Sequence, residues 1–192
     1  EVAGSNGFGK FSLSTSGVWS YTADTAHDEF VDGQSYADSV TVSAADGTQR
    51  TLTVTIVGTN DAAVITGSTA DYLNEGDTAG VISTSGSLSA TDVDSAANFV
   101  EQTDVDGSNG YGKFSITEAG DWTYTANSEH DEFVDGVTYT DSITVATADG
   151  TEQTITVTIT GTNDAALISG QTEFGLTEAD TAGAISTSGN LS

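Results

Sequence analysis

The chain has 192 residues, with Lys10, Arg50 and Lys113 as its only strong cations against 29 carboxylates, for a formal net charge of −26. Such a charge repels nucleic acid and anionic lipid surfaces, so nucleic-acid binding is excluded, and it strains the compact state unless cations offset it. Cys is absent, which rules out a disulfide framework and thiolate metal sites, and no apolar run approaches the length that would insert into a membrane.

Residues 1–60 open on Gly4-Ser-Asn-Gly-Phe-Gly-Lys-Phe11, pass through an alternating stretch at Trp19 and Tyr21 and a loop His27-Asp28-Glu29-Phe30, and close on the strictly alternating Thr51-Leu-Thr-Val-Thr-Ile-Val57. Regular alternation of Val, Ile, Thr, Tyr and Phe reads as half-buried strand rather than disorder. The joint Gly58-Thr59-Asn60-Asp61-Ala62-Ala63 follows, and it returns letter for letter as Gly161 to Ala166. Sliding the chain by 103 residues aligns 1–89 with 104–192, and 57 of those 89 positions are identical. This is a tandem array of one domain of ordinary size. On this reading 1–60 is the back of one repeat, 61–163 a complete repeat and 164–192 the front of the next. A chain without Met whose ends fall in mid-repeat reads as an internal excerpt of a longer polypeptide.

Within the complete repeat the expected strands run from Ala63 to Gly67 and Tyr72 to Asn74 (one broken strand), Gly86 to Thr91, and Phe99 to Gln102. Two hairpins follow, Tyr111–Thr117 with Asp121–Ala126, and Thr138–Ala148 with Thr151–Thr160 across Asp149-Gly150. No 3.6-residue apolar stripe supports a helix. Seven short strands at about ten-residue spacing are the pattern of an all-β, immunoglobulin-like β-sandwich. The inward parity selects Leu88, Phe114, Ile116, Trp122, Tyr124, Tyr139, Ile143, Val145, Ile155, Val157 and Ile159 as the core. Tyr139 and its counterpart Tyr36 fall where a tyrosine corner is expected.

An amide beside a carboxylate at a domain end, in so acidic a chain, points to oxygen ligands for a hard cation such as Ca²⁺, against the plainer reading of a polar turn. Taken together, Asn60-Asp61, Glu75 and Asp92-Val-Asp94 resemble the joint of cadherins, and Asp28-Glu29 fall near where the preceding cadherin domain supplies its acidic pair. The whole chain resembles the cadherin-like, VCBS-type repeats of large bacterial (RTX-type) surface adhesins, through Gly58-Thr-Asn-Asp-Ala62 and Gly120-Asp-Trp-Thr-Tyr124. It departs from them in two places: Ala63 stands where the family has Pro, and Gly-Thr-Asn-Asp shortens the cadherin Asp-x-Asn-Asp by one carboxylate. The resemblance implies Ca²⁺ held at one joint by Asp28, Glu29, Asn60, Asp61, Glu75, Asp92 and Asp94. At the second joint it implies Asp131, Glu132, Asn163, Asp164 and Glu178 as ligands.

His27 and His130 stand beside acidic pairs, but with no nucleophile and no glycine-rich cradle they read as loop histidines bonded to their neighbours, and no enzyme is expected. Trp19 and Trp122 read as core rather than sugar platforms. The leading expectation is an extracellular extender of a Gram-negative adhesin, stiffened by Ca²⁺ and serving attachment and biofilm, with neighbouring repeats as partners. Two alternatives stand beside it. One is a filament subunit that accepts other copies of the chain head to tail by strand complementation, and the other is a carbohydrate-binding accessory module.

Overall fold

The computed structural model describes residues 1–76, 82–177 and 187–192. Among these residues there are thirteen strands and no helix. Residues 1–60 hold β1 (Val2–Ala3), β2 (Gly9–Leu13), β3 (Trp19–Ala23), β4 (Ser35–Ser43) and β5 (Gln49–Val57). Between the two joints lie β6 (Val64–Gly67), β7 (Ala70–Asn74), β8 (Ser83–Thr91), β9 (Gln102–Asp106), β10 (Gly112–Ile116), β11 (Asp121–Ala126), β12 (Thr138–Ala146) and β13 (Glu152–Thr160). Burial follows the alternation of the sequence. Along β11, Trp122, Tyr124 and Ala126 are buried while Asp121, Thr123 and Thr125 face solvent.

The strands between the joints form two sheets, one in the order β6-β8-β11-β10-β9 and the other in the order β12-β13-β7. β12 and β13 pair antiparallel over nine residues, from Thr138 opposite Thr160 to Ala146 opposite Glu152. β7 lies parallel to β13, with Asn74 beside Thr160. The inner faces close on one core that includes Leu88, Phe114, Trp122, Tyr124, Val145, Ile155, Val157 and Ile159, and the fold is an all-β sandwich. Each fully buried aliphatic or Phe side chain of this kind contributes about 1.5–3 kcal/mol of transfer free energy. Tyr139 is half-buried against the core; its hydroxyl accepts the Val134 N–H at 3.1 Å, five residues upstream, and its ring stacks on Phe133 at 3.7 Å.

Sequence and structure differ at the third strand. The ladder beside β10 is β9 at Gln102–Asp106, whereas Phe99 forms only an isolated bridge with Thr147. Phe99 is a core plug carried on a loop: it is 1% exposed, and its N–H bonds the Glu118 carbonyl at 3.0 Å. The acidic run that follows it is accordingly strand and turn, with Asp106 paired to Lys113 at 2.6 Å.

Residues 1–60 reproduce the back of this sandwich. β1-β2-β3 keeps the register of β9-β10-β11, with Phe11 opposite Tyr21 as Phe114 is opposite Tyr124. β4 and β5 pair as β12 and β13 do. No described strand pairs with the outer edge of β3 or β5. In consequence Trp19 is 46% exposed, whereas its counterpart Trp122 is 1% exposed and donates its indole N–H to the Ser68 carbonyl at 2.9 Å.

Candidate metal centre

Glu75 reaches its place because β7 runs parallel to β13. The Glu75 N–H bonds the Thr160 carbonyl at 2.9 Å, and Oε2 accepts the N–H of Thr162 at 2.9 Å, so the carboxylate is fixed beside the joint that begins at Gly161. Asp131 arrives on the loop after β11, and His130 pins that loop. The imidazole Nε2 bonds the Tyr111 carbonyl at 2.7 Å, the ring stacks on Phe133 at 4.6 Å, and the His130 carbonyl accepts the Phe133 N–H at 2.8 Å. Two backbone bonds of 2.9 Å, Gly136 N–H to Gly161 O and Gly161 N–H to Val137 O, then tie the joint to the loop. One carboxylate oxygen each of Glu75, Asp131 and Asp164 thereby lie within 4.8 Å of one another. Glu75 is 4% exposed, and its Oε1 has no hydrogen-bond partner among the described residues.

An oxygen-only donor set with an unsatisfied buried carboxylate oxygen fits a hard divalent cation, since an unpaired buried anion is otherwise costly. No basic side chain fills that role. Lys10 pairs with Asp24, Lys113 pairs with Asp106, and Arg50 lies on the cleft beside Trp19.

A second acidic group forms at the opposite end of the same sandwich. The antiparallel pairing of β6 with β8 sets Val64 opposite Thr91 and so brings Asp61 near Asp92 and Asp94. Asp92 Oδ1 accepts the N–H groups of Asp94 and Ser95 at 3.0 and 2.8 Å, and its Oδ2 takes the Ser95 hydroxyl. These bonds, the Ser95 hydroxyl foremost, hold the Asp92 carboxyl below its ordinary value. Asp94 is buried, and neither of its oxygens has a hydrogen-bond partner among the described residues. Burial pushes its carboxyl up, and the neighbouring carboxyl of Asp92 adds to the shift.

The structure corrects the grouping expected from sequence. Glu75 does not join Asp92 and Asp94, because its strand adds to β13 and delivers it to the other end of the sandwich, beside Asp131 and Asp164. Glu29 and Glu132 each direct Oε1 to a histidine Nδ1 at 2.9 Å. Asp28 is exposed and belongs to no described cluster of three, while Asn60 and Asn163 are exposed on the joints. Glu178 lies outside the described residues.

Sequence reasoning missed Asp149, which reads as a hairpin-turn residue. Its Oδ2 accepts the Ala63 N–H at 3.0 Å, clamping the start of the repeat two residues after Asp61. The hydroxyls of Thr147 and Thr151 hold this carboxyl well below the usual carboxylate range. The signal available was its neighbours, because Thr at both flanking alternate positions surrounds a turn carboxylate with donors.

The family described as the bacterial cadherin-like domain matches the chain over residues 60–161, more than half its length. No curated protein matches the chain.

Proposed function

Since the chain belongs to the bacterial cadherin-like domain family, we propose that it is a non-catalytic extracellular extender whose joints are stiffened by Ca²⁺. The observation that carries this reading is the buried Glu75 carboxylate, whose Oε1 has no hydrogen-bond partner among the described residues, gathered with Asp131 and Asp164 within 4.8 Å from three separate segments. The 103-residue offset makes Asp61 the counterpart of Asp164. A joint assembled from both ends of the sandwich therefore offers Glu75, Asp131 and Asp164 together with the counterparts of Asp92 and Asp94. That supplies the all-oxygen ligand set and the charge a Ca²⁺ site requires.

The mechanism is electrostatic. Carboxylates contributed by two successive domains repel one another without metal, and a shared cation turns the repulsion into a crosslink that fixes the angle between the domains. An array of such joints holds a distal adhesive domain away from the cell, in keeping with a surface adhesin of a Gram-negative bacterium and a part in biofilm. The neighbouring repeats are the partners of each domain.

The test is scanning calorimetry with Ca²⁺ and with chelator. Ligation by groups that converge only in the folded state raises the melting temperature in Ca²⁺. Asp92→Asn with Asp94→Asn removes the part of this increment that belongs to the Asp61 end and leaves the part that belongs to Glu75. A melting temperature indifferent to Ca²⁺ contradicts the reading.

A further inference from the structure

The sequence holds two Asn-Gly pairs, Asn6-Gly7 and Asn109-Gly110, at the 103-residue offset. At such a pair a side-chain amide closes most readily on the next backbone nitrogen, because Gly has no Cβ to obstruct the approach. Asn109 is exposed on the loop between β9 and β10, so solvent water reaches it. The fold holds both reacting groups elsewhere. Asn109 Nδ2 donates to the Thr140 carbonyl at 2.7 Å, and the Gly110 N–H donates to the Gly107 carbonyl at 3.0 Å. The first copy repeats both bonds, with Asn6 Nδ2 to the Ala37 carbonyl at 2.7 Å and the Gly7 N–H to the Gly4 carbonyl at 3.2 Å. An Asn whose amide and following N–H are both engaged reacts when the loop opens.

The loop has little room for the product. The N–H groups of Asn109, Tyr111 and Gly112 converge on the buried Asp141 carboxylate at 2.8, 3.1 and 3.1 Å. The wrap is close, since a Cβ on Gly107 would stand 2.1 Å from that carboxylate. An aspartate at 109 replaces the donor to the Thr140 carbonyl with an acceptor, which sets two oxygens against each other and brings a second negative charge toward Asp141. In an isoaspartate the main chain runs through the side-chain carbon, which adds one backbone atom between the N–H of residue 109 and those of Tyr111 and Gly112. The carboxylate of Asp141 then no longer receives all three, and a buried anion is left short of donors.

We propose that Asn109 is a deamidation site gated by opening of residues 107–112, so that an opening of the repeat becomes a permanent chemical change. The Gly110 nitrogen attacks Cγ of Asn109, a C–N bond forms, and the side-chain nitrogen leaves as ammonia with the proton that the Gly110 nitrogen gives up. Water then adds to either carbonyl of the cyclic imide, and ring opening gives aspartate or isoaspartate. One water is consumed and one ammonia released, and no oxidant or reductant takes part. No cation takes part either, so the experiment is run in chelator and its outcome is separate from that of the Ca²⁺ reading.

The 192-residue chain is held at mildly alkaline pH, folded and in urea, and peptide mapping by mass follows the conversion of Asn109 to its acid with time. Conversion at least about tenfold faster in urea is expected, since folding suppresses reactions that need a local opening. Asn109→Asp stands for the direct product and lowers the urea midpoint of residues 61–163, read by the access of quencher to the buried Trp122. Where that variant does not fold, the two rates measured on the parent chain still decide the gating. Equal conversion of folded and unfolded chain, or none in urea, overturns the proposal, as does an Asn109→Asp chain with the urea midpoint of the parent.

Discussion

Asp141 is fully buried with no cation beside it, and what makes that tolerable is the loop Gly107-Ser-Asn-Gly-Tyr-Gly112 folded around its carboxylate. The N–H groups of Asn109, Tyr111 and Gly112 donate to it at 2.8, 3.1 and 3.1 Å, and the Tyr124 hydroxyl approaches at 3.4 Å. Asp141→Ala leaves these donors unsatisfied in the interior, so a loss of about 3 kcal/mol or more is expected in urea denaturation, since each orphaned buried group costs about 1–3 kcal/mol. Its counterpart Asp38 gives a pH dependence. Burial alone would raise the Asp38 carboxyl, but the N–H of Asn6, the Tyr21 hydroxyl and the N–H of Ser39 outweigh it and hold it below its ordinary value. A carboxyl depressed in the folded state contributes stability that is fully present above its unfolded value of about 3.9 and is lost as pH falls through the folded one. Asp38→Asn is therefore expected to flatten the acid limb of stability of residues 1–60, followed by Trp19 fluorescence between about pH 4 and pH 2. An unchanged acid limb would remove Asp38 from the account. Both aspartates were visible in the sequence as acidic residues on the inward parity, Asp141 with Tyr139 and Ile143 and Asp38 with Tyr36 and Val40. Their partners were not, because a glycine-rich turn does not announce where its N–H groups point.

At the scale of elements, the hairpins were legible because Asp149-Gly150 and Gly120 mark their turns and the alternation fixes which face is buried. The route of β6 and β7 was not. Gly67 has φ 118°, and the chain changes sheets at Ser68 and Thr69: the Ser68 N–H bonds the Ser87 carbonyl, and the Thr69 carbonyl accepts from Thr156. Periodicity reports which side of a strand is apolar and is silent on which strand lies beside it, so the parallel contact of β7 with β13, and with it the position of Glu75, emerged only from the structure. The crossing is fastened by Trp122, whose indole N–H holds the Ser68 carbonyl while its ring fits under Gly86. Trp122→Ala is expected to cost about 3–5 kcal/mol, as large-to-small core changes do, and to weaken Ca²⁺ binding by loosening the crossing that leads to β7. Denaturation and Ca²⁺ titration of the same variant check the two effects, and a destabilisation under 1 kcal/mol would contradict the assigned packing.

For the whole molecule, the repeat was the most legible feature, since self-comparison needs no knowledge of contacts. Asp61 and Asp164 are the same residue of successive repeats, one beside Asp92 and Asp94 and the other beside Glu75 and Asp131, and on the proposed reading the two acidic ends meet in one joint. A net charge of −26 is the counterpart of that arrangement at the level of the molecule, and on the proposed reading Ca²⁺ at the joints offsets part of it. The measurement that bears most directly on this account is calorimetric titration of Ca²⁺ into the chain and into Glu75→Gln, which keeps the shape of the side chain and removes one charge from the cluster. The account predicts saturable binding to the parent chain and at least about a tenfold loss of affinity at one site in the variant, equivalent to about 1.4 kcal/mol. Identical titrations, or no heat beyond dilution in either protein, would contradict it.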